Sequence, residues 1–287
     1  MDISIVIVNW NTRDLLRKCL ESIAATVPPL SFEVIVVDNG SRDGSAEMVE
    51  KDFPSIDLIR CSDNSGFAAA NNLGMKNASG RYCILLNPDT ELLPNAIGTM
   101  VGFADAHPEV GIVGPKLLNG DGTLQMNGRL FPTLVREVLG LTRISRLFPN
   151  AYSRMLWGRE DFDVACEVDE VMGACMLVRR SAIEKVGMMD EKYVMYYEEV
   201  DWCIRMKKAG YGTWYLPGAE VIHYGGQASA KAGMRKFIMA FDSEYYFFRK
   251  HRNFLEAVSL RLLSWTLIAL IASKRFLTGR SRSAPVE

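Results

Sequence analysis

The stretch ISIVIVNWN, residues 3–11, is a run of mostly β-branched apolar residues that ends in polar side chains. Such a run is typical of a strand that is buried on both faces of a parallel sheet. Apolar residues at helical spacing follow over 12–25, and a second apolar run, FEVIVVD, begins at residue 32. Because strand, helix and strand in this order build parallel sheets, the opening of the chain predicts an α/β fold.

The same alternation continues to residue 117. We predict further strands and helices at 44–52 (helix), 57–61 (strand), 67–78 (helix), 82–87 (strand), from Pro94 onward (helix) and at 110–117 (strand). Continuous apolar strands with intervening helices predict a mostly parallel central sheet that is flanked by helices.

The pattern weakens after residue 117. Residues 118–165, rich in Gly, Pro and Arg, are expected to form loops over one edge of the sheet. The remaining segments predict a strand at 167–180, two short strands within 212–224 that are broken by Pro217-Gly218, and helix from 232 to near 277. We therefore divide the chain into one domain, residues 1–226, and a basic, amphipathic helical extension, residues 227–287.

Composition is that of an ordinary globular protein, with 48% hydrophobic and 23% charged residues in 287. Six cysteines show no C-x-x-C spacing, which predicts reduced thiols in the cytoplasm and argues against a zinc site. The net charge of −1 is unevenly distributed, because residues 249–287 carry eight Lys/Arg and two acids. The partner of this basic segment needs separate consideration.

The basic segment surrounds an apolar run, residues 262–272, that is too short to span a bilayer. Basic residues flank the run on both sides between 249 and 282. This arrangement predicts a helix lying on an anionic membrane surface. Packing on the preceding domain or in a homodimer interface explains the same pattern equally well.

Two common nucleotide-binding loops are absent from the sequence. The turn after the first strand, NWNT, lacks the glycines of a dinucleotide-binding site, and no Walker lysine loop occurs. Ligands of open α/β sheets bind at the carboxyl ends of the strands. The polar groups at those ends are Asn9-Trp10-Asn11, Asp38-Asn39-Gly40-Ser41, Asp63-Asn64-Ser65-Gly66 and Asn87-Pro88-Asp89-Thr90.

Six motifs occur in an order and spacing that resembles glycosyltransferase family 2, in particular its bacterial rhamnosyltransferase-like branch. They are SIVIVNWN, VIVVDNGSRDGS, NSGFAAANNLG, LLNPDTEL, GACMLVRR and YYEEVDWCIR. The resemblance covers about residues 2–225. It implies a Rossmann-like GT-A fold, a nucleotide-sugar donor, a divalent metal and transfer with inversion at the anomeric carbon.

The donor-binding residues follow from matching positions. Asp38 matches the acid that contacts the nucleotide base, although an acid there also suits the cap of a turn. Val8 and Trp10 match positions that frame the base, with a plain core position as the alternative for Trp10. Asn64 and Asn87 lie in the two further motifs of the donor side.

The metal is expected at Asp89 and His223. Asn87-Pro88-Asp89 stands where the family has a D-x-D motif, so Asp89 alone is placed as an anionic ligand, with turn capping as the alternative. His223 lies 24 residues after Glu199, as the metal-binding histidine does in metal-dependent relatives. Carboxylate, imidazole and phosphate ligands suit Mn²⁺ or Mg²⁺.

The catalytic base is expected in the helix at 196–209. Glu199 matches the position of the base, which is commonly Asp in the family, and Glu198 is placed to orient the acceptor. Tyr197, Val200 and Ile204 share one helical face that is expected to lie on the sheet.

The charges of this helix also have a purely structural explanation, since Asp201 and Arg205 are spaced i,i+4 and can form an ion pair on the helix surface. The acceptor is expected near Trp202 and the small residues Gly173 and Ala174, which also suit tight sheet packing.

The resemblance implies an enzyme that moves L-rhamnose from dTDP-rhamnose onto a glycan or polyprenyl-linked glycan in bacterial surface polysaccharide synthesis. A UDP-hexose donor and a catalytically silent nucleotide-sugar-binding protein are the alternatives. We expect no nucleic acid partner. The expected location is the cytoplasm, with peripheral binding to the inner face of the membrane.

Overall fold

The computed structural model describes residues 1–26, 30–159, 161–193, 195–226 and 235–277, and side chains of these except at 235 and 270–277. The predicted boundary after residue 226 and the basic residues Arg280 and Arg282 therefore border or lie outside the described residues.

The strands are β1 Ile3–Asn9, β2 Phe32–Asp38, β3 Asp57–Arg60, β4 Tyr82–Leu86, β5 Thr90–Leu92, β6 Val110–Leu118, β7 Leu124–Gln125, β8 Cys166–Val168, β9 Cys175–Arg179 and β10 Gly212–His223. The helices are α1 Arg13–Thr26, α2 Ser45–Asp52, α3 Phe67–Asn77, α4 Ala96–Ala106, α5 Leu134–Leu141, α6 Pro149–Trp157, α7 Arg180–Val186, α8 Glu198–Lys208, α9 Arg235–His251 and α10 Phe254–Leu277, with a 3₁₀ turn at Ile144–Leu147.

One sheet organises the molecule, in the order β3-β2-β1-β4-β9-β6-β10-β5. The first four strands are parallel, so the polar residues that follow β1, β2 and β4 lie at one edge. β9 then runs antiparallel to both β4 and β6, and β10 runs antiparallel to β5. The predicted α/β fold is confirmed, with a parallel N-terminal half and a mixed remainder.

Strand alternation sends apolar side chains into two layers. Ile3, Ile5 and Ile7 pack with α1 and α4, whereas Val6 belongs to the opposite layer with α3 and Trp202. α3 can approach β1 closely because Gly74 has no side chain: a Cβ there would lie 2.3 Å from Val6 Cγ1.

Helix α8 lies in the reverse of the predicted orientation. Tyr197, Val200 and Ile204 pack against Phe247, Phe248, Ala257 and Leu260 of α9 and α10, so their predicted contact with the sheet is wrong. Trp202, Cys203 and Met206 face the sheet instead. The helix is covered on both sides, and its periodicity could not show which apolar face meets which neighbour.

Two further local predictions need correction. Residues 118–165 form β7, α5, the 3₁₀ turn and α6 rather than loops only; α5 and α6 are short, with 8 and 9 residues, and they lie in a segment whose Gly and Pro content favoured loops. β10 is one strand, and the predicted break survives as a register shift against β6 between Leu216 and Glu220, where Pro217 has no N–H to donate.

Within the described residues, no helix combines the length and apolar character needed to cross a bilayer. The face of α10 that contains Ala257 and Leu260 packs on the rest of the chain, while Leu255, Leu262 and Trp265 remain exposed.

Gly74→Ala is expected to lower the free energy of unfolding by about 1–3 kcal/mol, because the added methyl group overlaps Val6 in a filled core. Urea unfolding followed by circular dichroism measures this change. Gly102→Ala in α4 is the matched control, since no atom lies within 4 Å of its added Cβ. The control should be neutral or stabilising by about 1 kcal/mol. Equal effects of the two substitutions would contradict the close approach of α3 to β1.

Candidate active site

The buried carboxylate of Asp38 lies at the carboxyl ends of β1 and β2. Asp38 Oδ1 accepts a hydrogen bond from Ser41 N at 2.9 Å, and Oδ2 accepts one from Asn9 Nδ2 at 3.1 Å. Asn9 is held in this orientation because its Oδ1 accepts from the Thr12 hydroxyl at 2.7 Å. Asp38 therefore caps the turn that follows β2.

The other residues predicted for the donor side surround this carboxylate. Val8 and Trp10 are partly buried, so Trp10 is not a core residue. Asn64 is exposed, and its Oδ1 accepts from Asn39 Nδ2 at 3.0 Å and from Gly66 N at 2.9 Å. The loop after β3 is thus fastened to the loop after β2, which fixes one wall of the site.

The antiparallel pairing of β10 with β5 brings His223 to Asp89. His223 Nε2 lies 3.4 Å from Asp89 Oδ1, and the two side chains are 7% and 8% exposed. His223 Nδ1 is 2.7 Å from Gln125 Oε1, while Gln125 Nε2 donates to Asn119 Oδ1 at 3.1 Å. The Gln125 carbonyl oxygen therefore accepts from His223 Nδ1–H, and Nε2 is directed at Asp89.

This pair fits a divalent cation. The buried Nε2 of His223 has no hydrogen-bond partner among the described residues, and it faces a carboxylate. Metal-bound histidines commonly donate their other ring N–H to an oxygen acceptor, which fixes the orientation of the ring, and Gln125 is placed to do this for His223. Residues that the structure describes include no group of three or more His, Cys, Asp or Glu suited to a metal. A cation here would accordingly take its other ligands from a bound molecule and water.

Asn87 connects this pair to the neighbouring strand. Its N–H donates to the carbonyl of Ala174 at 2.9 Å, and its own carbonyl accepts from the Thr90 hydroxyl at 2.7 Å. Ala174 is buried, and its neighbour Gly173 borders Glu199: a Cβ at Gly173 would lie 3.5 Å from the Phe67 ring and 4.0 Å from Glu199 Cβ. The pair of Asp89 and His223 and the start of α8 thus both lie near the residues that precede β9.

Glu198 and Glu199 begin α8 and lie side by side in a buried environment. Burial and the charge of Glu199 raise the pKa of Glu198 well above its ordinary range. Burial also raises the pKa of Glu199, but backbone N–H groups at the helix start and the charge of Arg129 oppose this. The hydrogen bond between the two carboxyls favours a protonated Glu198 and an ionised Glu199. Two acids whose pKa values are driven apart can serve as donor and base.

Arg129 supplies the positive charge beside these acids, and the sequence patterns did not single it out. Its Nη2 lies 2.7 Å from Glu170 Oε1; the Glu170 side chain is 2% exposed, whereas that of Arg129 is 41% exposed. Burial raises the pKa of Glu170 to about 7 against the opposing charge of Arg129. An isolated backbone bridge between Arg129 and Glu170 fixes the pair. Because Arg129 and Glu170 are far apart in the sequence, no local pattern could have predicted this pair.

Two consecutive tyrosines before Glu198 adopt left-handed backbone conformations. φ is 66° at Tyr196 and 69° at Tyr197, a strained choice for residues with large side chains. Tyr197 stacks on Phe247 of α9 with ring centroids 5.1 Å apart, and its hydroxyl hydrogen-bonds to Glu137 and Glu244. The C-terminal helices thereby hold the turn that places both glutamates.

Trp202 does not line the site. Its side chain is fully buried, and its indole N–H donates to the Gly187 carbonyl at 2.8 Å. The predicted contact of Trp202 with an acceptor is incompatible with this position, which is in the core between α8 and the sheet.

Asp201 is also fully buried and holds more than the expected pair with Arg205. Its carboxylate lies 2.7 Å from Arg205 Nε, 2.7 Å from Lys250 Nζ and 2.6 Å from His251 Nε2. Burial by itself would raise the pKa of Asp201, but hydrogen bonds from His251, Lys250 and Arg205 hold it well below its ordinary value. Helix α8 is thus joined to α9 by charge as well as by packing.

Comparison with known proteins gives one consistent result. The model of glycosyl transferase family 2 matches residues 4–187. The N-acetylglucosaminyl-diphospho-decaprenol L-rhamnosyltransferase of Mycobacterium tuberculosis is 31% identical over 96% of this chain and 92% of its own. A rhamnosyltransferase of Escherichia coli is 26% identical over 77% of this chain and 82% of its own.

Solved structures agree on the fold. A mannosyltransferase from Pyrobaculum calidifontis in complex with GDP-Man and Mn²⁺ superposes with a TM-score of 0.60, 14% identity and coverage of 94% of this chain and 75% of its own. A GalNAc transferase solved with UDP, GalNAc and Mn²⁺ gives 0.58 and 15% identity over 78% of this chain and 44% of its own.

Asp201→Asn is expected to lower the free energy of unfolding near neutral pH by about 3 kcal/mol, because it removes the buried anion that Arg205, Lys250 and His251 contact. Since the folded pKa of Asp201 lies below its unfolded value, its contribution is present above about pH 4 and is lost as the pH falls further. Urea unfolding at several pH values should therefore show that the difference between wild type and variant shrinks in acid. Asp242→Asn, which removes an exposed pair with Arg261, is the control and should cost at most about 1 kcal/mol. A loss at Asp201 no larger than this control would contradict the buried network.

Proposed function

Because this chain belongs to glycosyl transferase family 2 and has the GT-A fold, we propose that it is an inverting, metal-dependent transferase that moves L-rhamnose from dTDP-rhamnose onto a lipid-linked glycan in bacterial surface polysaccharide synthesis. Its class, a nucleotide-sugar glycosyltransferase, follows from the family. The choice of rhamnose and of a lipid-linked acceptor rests on what the two rhamnosyltransferase relatives are named for.

One observation carries the catalytic part of the proposal. The Nε2 atom of His223, which has no hydrogen-bond partner among the described residues, faces Asp89, in a wall that Asn87 and Ala174 connect to the strand end beside Glu199. A silent binding protein would have no need for an unpartnered imidazole nitrogen together with two adjacent acids whose pKa values are raised by burial, since each of these groups costs stability. We therefore favour an enzyme over a binding protein.

The donor is proposed to bind with its base at Asp38. A carboxylate oxygen there can accept the imide N–H of uracil or thymine, a feature that both candidate donors share. Asp89 and His223 would hold the divalent cation, which when bound neutralises the negative charge that develops on the departing nucleoside diphosphate. This arrangement leaves UDP-hexose as the alternative donor.

The acceptor hydroxyl is proposed to meet Glu199. The ionised carboxylate takes the hydroxyl proton while the acceptor oxygen forms its bond to the anomeric carbon and the bond from that carbon to the diphosphate oxygen breaks. Glu198 keeps its own proton and donates a hydrogen bond to Glu199. Arg129 lies near Glu199, and its positive charge favours the ionised state of the base.

The acceptor lipid places the enzyme at a membrane. We propose peripheral binding to an anionic inner leaflet through residues 249–282, where α10 exposes Leu255, Leu262 and Trp265. A homodimer formed through the same helix is the alternative.

Glu199→Gln is expected to lower kcat by about 10²–10⁴-fold, because the amide cannot take the proton, while donor binding stays near wild type. Initial rates with dTDP-rhamnose and a lipid-linked acceptor, together with calorimetry of donor binding, measure both. Because burial raises the pKa of Glu199, kcat/KM of the wild type should fall in acid at a higher pH than for an ordinary glutamate.

Glu198→Gln is the matched control for the base. An amide imitates the protonated carboxyl at this position, so most of the activity should remain. If Glu198→Gln abolished transfer and Glu199→Gln did not, the two roles would have to be exchanged.

Asp89→Ala and His223→Ala are each expected to abolish Mn²⁺-dependent binding of the donor nucleotide, because each removes one of the two protein ligands. Calorimetry with dTDP-rhamnose and with UDP-hexoses, with and without Mn²⁺, measures this and also decides between the two donors. His107→Ala serves as the control, since His107 is only partly buried, contacts Glu109 and is not among the predicted metal ligands. Unchanged Mn²⁺-dependent binding in both variants would refute the metal assignment.

A further inference from the structure

A second exposed apolar surface lies far from α10 in the sequence. Ile144, Leu147 and Phe148 protrude from the 3₁₀ turn that connects α5 and α6, with 45%, 73% and 64% of each residue exposed. Arg143 and Arg146 alternate with them and are exposed as well. We call residues 143–148 the arginine–apolar turn. Three large apolar side chains exposed within six residues indicate a surface that contacts an apolar partner.

The charge around this turn has one sign. Residues 138–159 contain four arginines and no acidic residue. Arg159 is used internally, because its guanidinium donates to the carbonyls of Asn127 and Gly128. Arg143 and Arg146 form no ion pair with any other residue in the described ranges. A partner of this turn must therefore be apolar where the three side chains enter and anionic at its rim.

The position of the turn relates it to both the extension and the catalytic helix. Leu134, Val138 and Leu141 of α5 pack on the cluster that contains Ala257 and Leu260 of α10. On the same helix α5, Glu137 reaches the hydroxyl of Tyr197, directly before the paired glutamates. The turn directly follows α5 in the chain, so it adjoins a helix that contacts both α10 and the residue before the paired glutamates.

We propose that the arginine–apolar turn inserts into an anionic bilayer, with Ile144, Leu147 and Phe148 among the acyl chains and Arg143 and Arg146 at the phosphate groups. The match is with a lipid surface, because the apolar side chains protrude from a tight turn beside two exposed cations, as interfacial membrane anchors do. The inference deepens the proposed function, on which it rests for the lipid-linked acceptor. It assigns membrane contact to a part of the chain outside residues 249–282.

Vesicle co-sedimentation of the full-length protein tests the proposal. The double variant Leu147→Ser/Phe148→Ser should bind vesicles of phosphatidylcholine and phosphatidylglycerol at least about tenfold more weakly than wild type, because two inserted side chains are lost. Arg143→Glu/Arg146→Glu should remove most of the preference for these vesicles over pure phosphatidylcholine. Val164→Ser changes an apolar residue that is 56% exposed outside the turn, so it is the control and should bind as wild type does.

Two results would overturn the proposal. One is unchanged vesicle binding by both double variants, which would leave the membrane contact to α10 alone. The other is a wild-type dimer in light scattering that Leu147→Ser/Phe148→Ser converts to a monomer without altering vesicle binding, which would make the turn a contact between copies. Sugar transfer to a soluble acceptor should remain within about twofold of wild type in the variants, since they lie outside the catalytic groups. A wild type that binds vesicles through the turn but transfers no sugar would instead refute the proposed function.

Discussion

The buried carboxylate of Asp201 is the interaction on which the catalytic half of the molecule depends. A fully buried anion is tolerated only with close partners, and here Arg205 comes from its own helix while Lys250 and His251 come from α9. Satisfying this charge requires that α8 lie between the sheet and the C-terminal helices. That position turns the start of α8 toward the strand end beside Asn87. The C-terminal helices are therefore part of the structure that places the acids, since removing α9 would leave the buried carboxylate of Asp201 without Lys250 and His251.

Burial also shifts the pKa values of the acids around Glu199. Glu137, Glu170, Glu198, Glu199 and Glu244 all have raised pKa values, and burial is the largest cause for each. Arg129 opposes the rise at Glu170, at Glu199 and at Glu137. Arg136 also opposes the rise at Glu137. Glu199 differs from its neighbour Glu198 in that the charge of Arg129, as well as backbone N–H groups, opposes the effect of burial on its pKa.

The sequence predicted those features that local patterns encode. The strands β1, β2 and β4 and the polar residues at their ends were readable because apolar runs and turn residues are contiguous. Even the pair of Asp201 and Arg205 followed from helical spacing. Trp202 and the face of α8 were misjudged because the helix is apolar on both sides, and a period cannot tell sheet from helix. Arg129, Glu170 and Gln125 act through partners that are distant in the chain, so no local signal could mark them.

The closeness of His223 and Asp89 has a further consequence for the stability of one edge of the sheet. Asp89 precedes β5, and His223 ends β10, which pairs with β5 although the two strands are far apart in the chain. The two groups are therefore close in space only while this pairing is intact. A ligand that bridges them would act as a clasp on the finished sheet, and its binding energy would add directly to the cost of opening that edge. Donor supply in the cell would then influence how long the enzyme survives, as well as how fast it works.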